Sequence, residues 1–220
     1  MTDEELDKHF TPPYNPWEQR FCPAPNGDFF ASIRSGKASI VTDHIDRISE
    51  NGIQMKNGKL VHANLIVKAT GLTFQANFPF STMEVLIDGK QYQPQDTMIY
   101  KSVMLSNVPN CAFMMGYLTT SWTVKLDITC SYFCKLLNYM KKNDYNVVCP
   151  RIRPGVETTD ENFIGLSSGY LSRASEDMPK QGRKNPWRTI QNVFVDLISF
   201  WWGGIKDESL EFISRDKKIQ

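Results

Sequence analysis

Three short stretches carry residues whose types and spacing suit chemistry. The first is NLIVKATG, residues 64–71. An apolar strand ending in Ala69-Thr70-Gly71 predicts a turn at the carboxyl end of a sheet, where open α/β folds bind their ligands. Gly71 lets the backbone approach a flat cofactor, and Thr70 adds a small hydroxyl. A plain strand end fits the same residues. A cofactor turn of this kind works beside a glycine-rich phosphate loop, yet the 220 residues contain no G-x-G-x-x-G and no P-loop motif.

The second stretch is HFTPPYNPWEQRF, residues 9–21. Its prolines stiffen the approach to Arg20, and a fixed guanidinium suits an anionic intermediate or a phosphate. An arginine paired on the surface with Glu18 or Asp28 fits equally. The third is VPNCAFMMGYLTTSWT, residues 108–123. Here an expected buried strand breaks at Gly116 and runs through small and hydroxyl residues into a helix. The free N–H groups of a helix start can receive a carbonyl or a phosphate. An ordinary strand–loop–helix joint reads the same way. Met114, Met115, Tyr117 and Trp122 could line an apolar pocket or fill a core.

Other chemistries find less support. His9, His44 and His62 are not spaced as metal ligands, and no metal is expected. Cys130 and Cys134 stand four apart on a predicted helix and read as core residues. The five cysteines are an odd number in a chain of this size, which fits reduced thiols and a cytoplasmic location. The start MTDEELDKHF has no apolar h-region. Lys and Arg total 25 against 24 Asp and Glu, without a basic stripe, so nucleic acid is not an expected partner. The longest apolar run, NVFVDLISFWWGGI at 192–205, is short for a bilayer span and carries Asp196. It reads as an amphipathic helix with its aromatics packed inward.

The elements that must position these residues follow from pattern. Residues 4–9 form a short acidic helical turn, and the five prolines of 11–26 impose irregular chain. GDFFASIRSG is a short helix capped by Asp28 and ended by a left-handed Gly36. KASIVTD is a strand. Residues 44–71 are short strands punctuated by Asn-Gly at 51–52 and 57–58. Leu65-Ile66-Val67 is a strand buried on both faces, as in a parallel sheet. A small hairpin turns at Asp88-Gly89. Ser121 caps a helix from Trp122 to about Lys142, with Val124, Ile128, Phe133, Leu136, Leu137 and Met140 on its core face. Residues 150–186 form a surface wrap, Pro186 opens a last helix at its first position, and LEFI at 210–213 is a final strand.

Taken in order, HFTPPYNPWEQR, NGDFFASIRSGK, IVTDHI, LIVKATGL, SNVPN, MGYLTTSWTVK and PKQGRKNPWR give a specific likeness. The chain resembles the C-terminal half of a class B flavoprotein monooxygenase. It is most similar to the ethionamide-activating type of Baeyer–Villiger monooxygenase, from about residue 8 to about residue 213. The resemblance implies FAD and NADPH as cofactors. It implies hydride transfer to the flavin, a C4a-peroxyflavin, and oxygen insertion beside a ketone carbonyl or oxygenation of sulfur or nitrogen. O₂ and a small organic substrate would be its partners.

The same resemblance assigns residues and domains. Arg20 matches the arginine that stabilises the peroxide anion and positions the nicotinamide. Ala69, Thr70 and Gly71 match the turn where the chain passes from the NADPH domain back to the FAD domain. Gly116 and Thr119 fall in the segment near the flavin ring, and Tyr117 and Trp122 beside the substrate pocket. The implied fold is α/β, the C-terminal part of a protein with two dinucleotide-binding domains. Residues 1–71 would be the end of the NADPH domain and its return strand, 72–150 the C-terminal part of the FAD domain, and 151–220 a wrap and helix. Both glycine-rich loops and the family fingerprint are missing. Asn64 stands where an acidic residue is expected, and Lys68 puts a charge beside the turn. A separately encoded product, a split gene or a truncated one would all look like this. A non-catalytic remnant, or a subunit needing a separate N-terminal half, is the competing reading.

Overall fold

The computed structural model describes residues 2–16, 18–19, 22–71, 83–118, 120–161, 163–165 and 168–214. The chain divides into two units, one of residues 1–16 and 21–72 and one of residues 17–20 and 73–220. Both mix helix and strand.

The smaller unit opens with helix α1, Asp3–Phe10, as its acidic first turn predicts. Thr2 and Glu5 form a capping box: Thr2 Oγ1 accepts from the Glu5 N–H, and Glu5 Oε2 accepts from the Thr2 N–H. The described residues among 11–26 are irregular. Helix α2, Asp28–Arg34, differs from expectation at its start. Gly27 is the N-cap, in the left-handed region, and Asp28 is already the first helical residue, without a side-chain cap bond. Gly36 does take the left-handed conformation at the other end.

KASIVTD is not a strand. The Lys37 and Ala38 N–H groups both turn back to the Ser32 carbonyl, so the chain leaves the helix with its donors already spent. Strands β1 (Ile45–Ser49), β2 (Gly52–Met55) and β3 (Leu60–His62) then form the expected antiparallel meander. The first hairpin turns on Glu50-Asn51, and Gly52 is the first residue of β2. Asp43 links this meander to its second turn, accepting from the Asn57 N–H at 3.1 Å.

Leu65-Ile66-Val67 pairs with nothing among the described residues. Leu65 is 81% and Val67 79% exposed, the opposite of a strand buried on both faces. Every strand pair among the described residues is antiparallel, and parallel pairing is limited to the isolated bridge Met98–Lys180.

The larger unit begins with hairpin β4–β5 (Leu86–Ile87, Lys90–Gln91). It turns on Asp88 and Gly89, both at positive φ as the sequence predicts. A second hairpin, β6–β7 (Ile99–Tyr100, Met104–Leu105), turns on Lys101 and Ser102, at φ 47° and 59° without a glycine. Helix α3 spans Trp122–Lys142 and leads into strand β8, Tyr145–Pro150. The sequence pattern alone predicts no strand there. Strand β9 (Thr158–Thr159), helix α4 (Gly169–Ala174) and strand β10 (Gln181–Gly182) follow. Helix α5, Val193–Trp201, precedes strand β11, Leu210–Ser214, which pairs antiparallel with β8. LEFI is therefore a strand as expected.

Two expectations about this unit change. CAFMMG forms a single bridge, Met104 to Ala112, and is otherwise extended and half-buried. Residues 150–186 are more than a surface wrap, because Phe163, Ile164, Leu171, Ala174 and Met178 pack with Ile99, Leu105 and Phe113 in a core cluster. A second cluster joins Tyr100, Met104, Ile128, Tyr132, Leu136, Val148, Trp187 and Phe200 across α3, β8 and α5.

The meander supplies a stability test. Gly52 has φ 138°, and a Cβ built there would lie 2.0 Å from the Val61 carbonyl oxygen. Gly52→Ala is expected to destabilise the smaller unit by about 2–4 kcal/mol, measured by denaturant unfolding of that unit's signal. An alanine as stable as the glycine would mean that β2 and β3 do not approach in this way.

Candidate functional site

The residues singled out from sequence fall in both units, and each unit holds its own. In the smaller unit, Ala69, Thr70 and Gly71 are exposed and lie outside any ladder. Gly71 has φ 84°, and nothing lies within 4 Å of where its Cβ would be. The backbone there is open to a flat ligand. Arg20 and Thr119 lie outside the described residues.

In the larger unit, the described residues of 116–122 form a compact joint. Gly116 is buried, and a Cβ on it would sit 2.3 Å from the Trp122 ring and 2.5 Å from the Trp122 carbonyl oxygen. Only glycine permits this approach. Ser121 is the N-cap residue of α3, as expected, but its hydroxyl lies 3.0 Å from Thr123 Oγ1 and makes no cap bond to the backbone. The positive end of α3 is therefore not closed by its own cap. Trp122 is 41% exposed at this end, whereas Tyr117 is fully buried.

The joint is held from behind by the segment before and within α5. Gln191 Oε1 accepts from the Leu118 N–H at 3.2 Å, while Gln191 Nε2 is buried without a partner among the described residues. The Tyr117 hydroxyl donates to Asp196 Oδ2 at 2.5 Å. Lys125 Nζ, wholly buried, stands 3.2 Å from the same oxygen, donates to the Ile190 carbonyl at 2.9 Å, and lies over the Tyr117 ring. Burial pulls the Lys125 ammonium below the usual lysine range, and the Asp196 charge opposes this. Burial pushes the Tyr117 phenol far above its usual value, and the bond to Asp196 pushes it further.

A similar group lies nearby. The Tyr100 hydroxyl donates to Asp207, and Lys101 Nζ is 3.6 Å from that carboxylate and over the Tyr132 ring. A cleft of about 300 Å³ is lined by residues of both groups, including Lys101 and Asp196.

The ion pair was not read from sequence. Two signals pointed to it. Asp196 is the lone charge in an apolar helix, and Lys125 falls three residues before Ile128 on the buried stripe. The stripe is Lys125, Ile128, Thr129, Tyr132, Leu136 and Met140, so Val124 and Leu137, expected inside, are exposed. Helix α5 reverses its expectation too. It turns Asp196 and Phe200 inward and leaves Phe194, Ile198, Trp201 and Trp202 outside. It starts at Val193, after an Asn192 cap that accepts from the Phe194 and Val195 N–H groups, and not at Pro186. Cys130 and Cys134, expected in the core, are exposed. No cluster among the described residues could hold a metal. No helix among them is long and apolar enough to cross a membrane.

Comparison with known proteins places these features. The chain is 42% identical over 215 residues to the FAD-containing monooxygenase EthA of Mycobacterium tuberculosis, covering 98% of this chain and 43% of that protein. It is 45% identical over 212 residues to the probable FAD-binding monooxygenase AlmA of Acinetobacter baylyi, covering 96% and 41%. A second AlmA, from an Acinetobacter species, is 41% identical over 211 residues. The chain is homologous to FAD-containing monooxygenases. It spans about two-fifths of the length of the relatives it matches. No family model and no solved structure matches it.

Two features suit the edge of a flavin, while the chain offers little to its pyrophosphate. The uncapped start of α3 and the orphaned Gln191 amide are donors beside the 116–122 joint. A glycine-rich cradle for phosphate is missing from the sequence.

Two predictions follow from the buried groups. Asp196→Ala leaves Lys125 charged and unpaired, and is expected to cost about 3–5 kcal/mol in denaturant unfolding. Asp196→Leu with Lys125→Met is expected to cost less than either single change, and additive losses would refute the pairing. The second concerns alkali. Tyr92 and Tyr132 are pushed up to about 12 by burial, and Tyr100 and Tyr117 higher. A phenol raised in the folded state gives stability that is complete below its unfolded value of about 10 and is lost above it. Lys101 and Lys125, lowered by burial, add stability as pH rises toward about 10.4 and nothing beyond. Stability should therefore fall steeply above about pH 10. In a phenolate absorbance titration these four of the eight tyrosines should ionise only with unfolding.

Proposed function

We propose that this chain is the C-terminal portion of an FAD- and NADPH-dependent monooxygenase. Its chemistry would be Baeyer–Villiger oxidation of ketones, or oxygenation of sulfur or nitrogen. The observation that carries the reading is identity of 41–45% along nearly the whole chain, with coverage of only about two-fifths of each relative. In this reading the fold is the end of two dinucleotide-binding domains. Residues 1–71 close the NADPH domain, 72–150 belong to the FAD domain, and 151–220 wrap it. A cytoplasmic location with reduced thiols fits five unpaired cysteines.

Bound FAD would supply oxygen activation, with NADPH as its hydride donor. The chain's own residues would do the positioning. Arg20 places a permanent positive charge where negative charge develops on the reacting oxygen. Gly71 and Thr70 let the backbone pass close to the cofactor. Gly116 brings Trp122 against the joint, so the indole faces the substrate while Tyr117, tied to Asp196, fixes the loop from inside. The first turn of α3 and the Gln191 amide would donate to the ring edge.

The pyrophosphate needs a glycine-rich loop from elsewhere, and so do the exposed Leu65 and Val67 need a neighbouring strand. These features favour a chain that works with an N-terminal half over a free-standing enzyme. Co-expression with the N-terminal half of a relative is expected to give a yellow complex that oxidises NADPH. Arg20→Ala should then lower turnover on the order of a hundred- to a thousand-fold, with flavin content unchanged. Stoichiometric flavin on the chain alone would overturn the need for a second half. A complex that never oxidises NADPH would support a non-catalytic remnant.

A further inference from the structure

The cleft of about 300 Å³ between the two tyrosine–aspartate–lysine groups takes no substrate or cofactor in the function proposed above, although Asp196 on its lining also ties Tyr117. Its size is at the low end for a small-molecule site. Asp196 lies in its floor with a buried carboxylate. Tyr117 and Lys125 both engage Oδ2, and no donor among the described residues reaches Oδ1. Ser102, also on the lining, is only 3% exposed, and its hydroxyl has no partner among the described residues. Ser102 and Lys101 both hold left-handed backbone without glycine, a strain that this turn retains at the cleft. Phe200, Ile190 and Pro186 give the cleft an apolar wall, and Asn185 adds a side-chain amide.

We propose that this cleft binds a small polyhydroxylated ring, a monosaccharide or cyclic polyol. The polar groups that face it are of both kinds. Asp196 Oδ1 can only accept, Lys101 can only donate, and Ser102 and Asn185 can do either. A hydroxyl satisfies each of them, because it donates and accepts. The charges on the lining are already matched within the protein: Asp196 by Lys125, Lys101 by Asp207 and Arg188 by Glu161. An anion would meet Asp196, and a cation would meet Lys101 and Arg188. A wholly apolar guest would leave Asp196 Oδ1 and the Ser102 hydroxyl without partners. The C–H face of a sugar ring matches the wall at Phe200 and Ile190.

Saturation-transfer NMR on the full chain tests this, with D-glucose and myo-inositol as probes. Transfer to ring protons is expected, with a dissociation constant on the order of 1 mM for so small a ligand. Ser199→Leu, which fills the cleft from α5, should weaken binding at least about tenfold. Asn185→Leu, on the exposed rim, should weaken it severalfold without affecting the fold, which keeps the test valid if Ser199→Leu is unstable. No transfer to either probe would overturn the assignment. So would transfer undiminished in both variants, or a preference for acetate, inorganic phosphate or methylammonium.

Discussion

A lysine and an aspartate taken out of water govern the larger unit. Neither Lys125 nor Asp196 could remain buried and charged alone, since the desolvation of one ion is repaid only by the other and by full hydrogen bonding. Lys125 has both, through Asp196 and the Ile190 carbonyl. This requirement sets the rotation of two helices. It turns α3 so that Lys125 leads the buried stripe, and α5 so that Asp196 faces it. The cost appears on the far side of α5. With Asp196 inside, Phe200 follows one turn later, and Phe194, Ile198, Trp201 and Trp202 must face outward. Hydrophobic pattern alone would have turned that helix the other way.

The smaller unit has the opposite difficulty, an apolar segment with no partner. A strand needs hydrogen-bonding neighbours to bury its backbone. Leu65-Ile66-Val67 has none among the described residues and stands exposed. Its composition is that of a central strand in a parallel sheet. The meander before it is antiparallel and self-contained, with every ladder pair supplied within residues 45–62. Local pairing therefore forms within residues 45–62, whereas no strand among the described residues covers residues 65–67.

That contrast explains what could be read in advance. Helix α1, the long α3, both hairpin turns at glycine and the final strand were legible, because caps, Asn-Gly or Asp-Gly pairs and helical period are local signals. The buried face of α3 was misread by about one position, since aliphatic residues were counted as core and a lysine was not. The start of α5 was placed at a proline suited to a first turn, whereas Asn192 supplies an actual cap six residues later. Strand β8 was missed because its pattern, YNVVCP, gains meaning only from β11, sixty residues on. Within the candidate site, Gly116 and Tyr117 stood out by sequence. Lys125, Gln191 and Asp196 did not, because what marks them is burial and mutual distance.

The two oxygens of Asp196 bring these strands of reasoning together. Oδ2 is fixed by Tyr117 and Lys125, so the carboxylate cannot rotate without breaking the ion pair. Oδ1 is therefore left outside the bonds that hold the 116–122 joint, on a residue that lines the cleft. A hydroxyl accepted at Oδ1 would draw charge away from Oδ2 and weaken its hold on the Tyr117 proton. Tyr117 adjoins Gly116, whose missing side chain lets Trp122 close on the joint. The cleft lining and the 116–122 joint thus share one buried carboxylate.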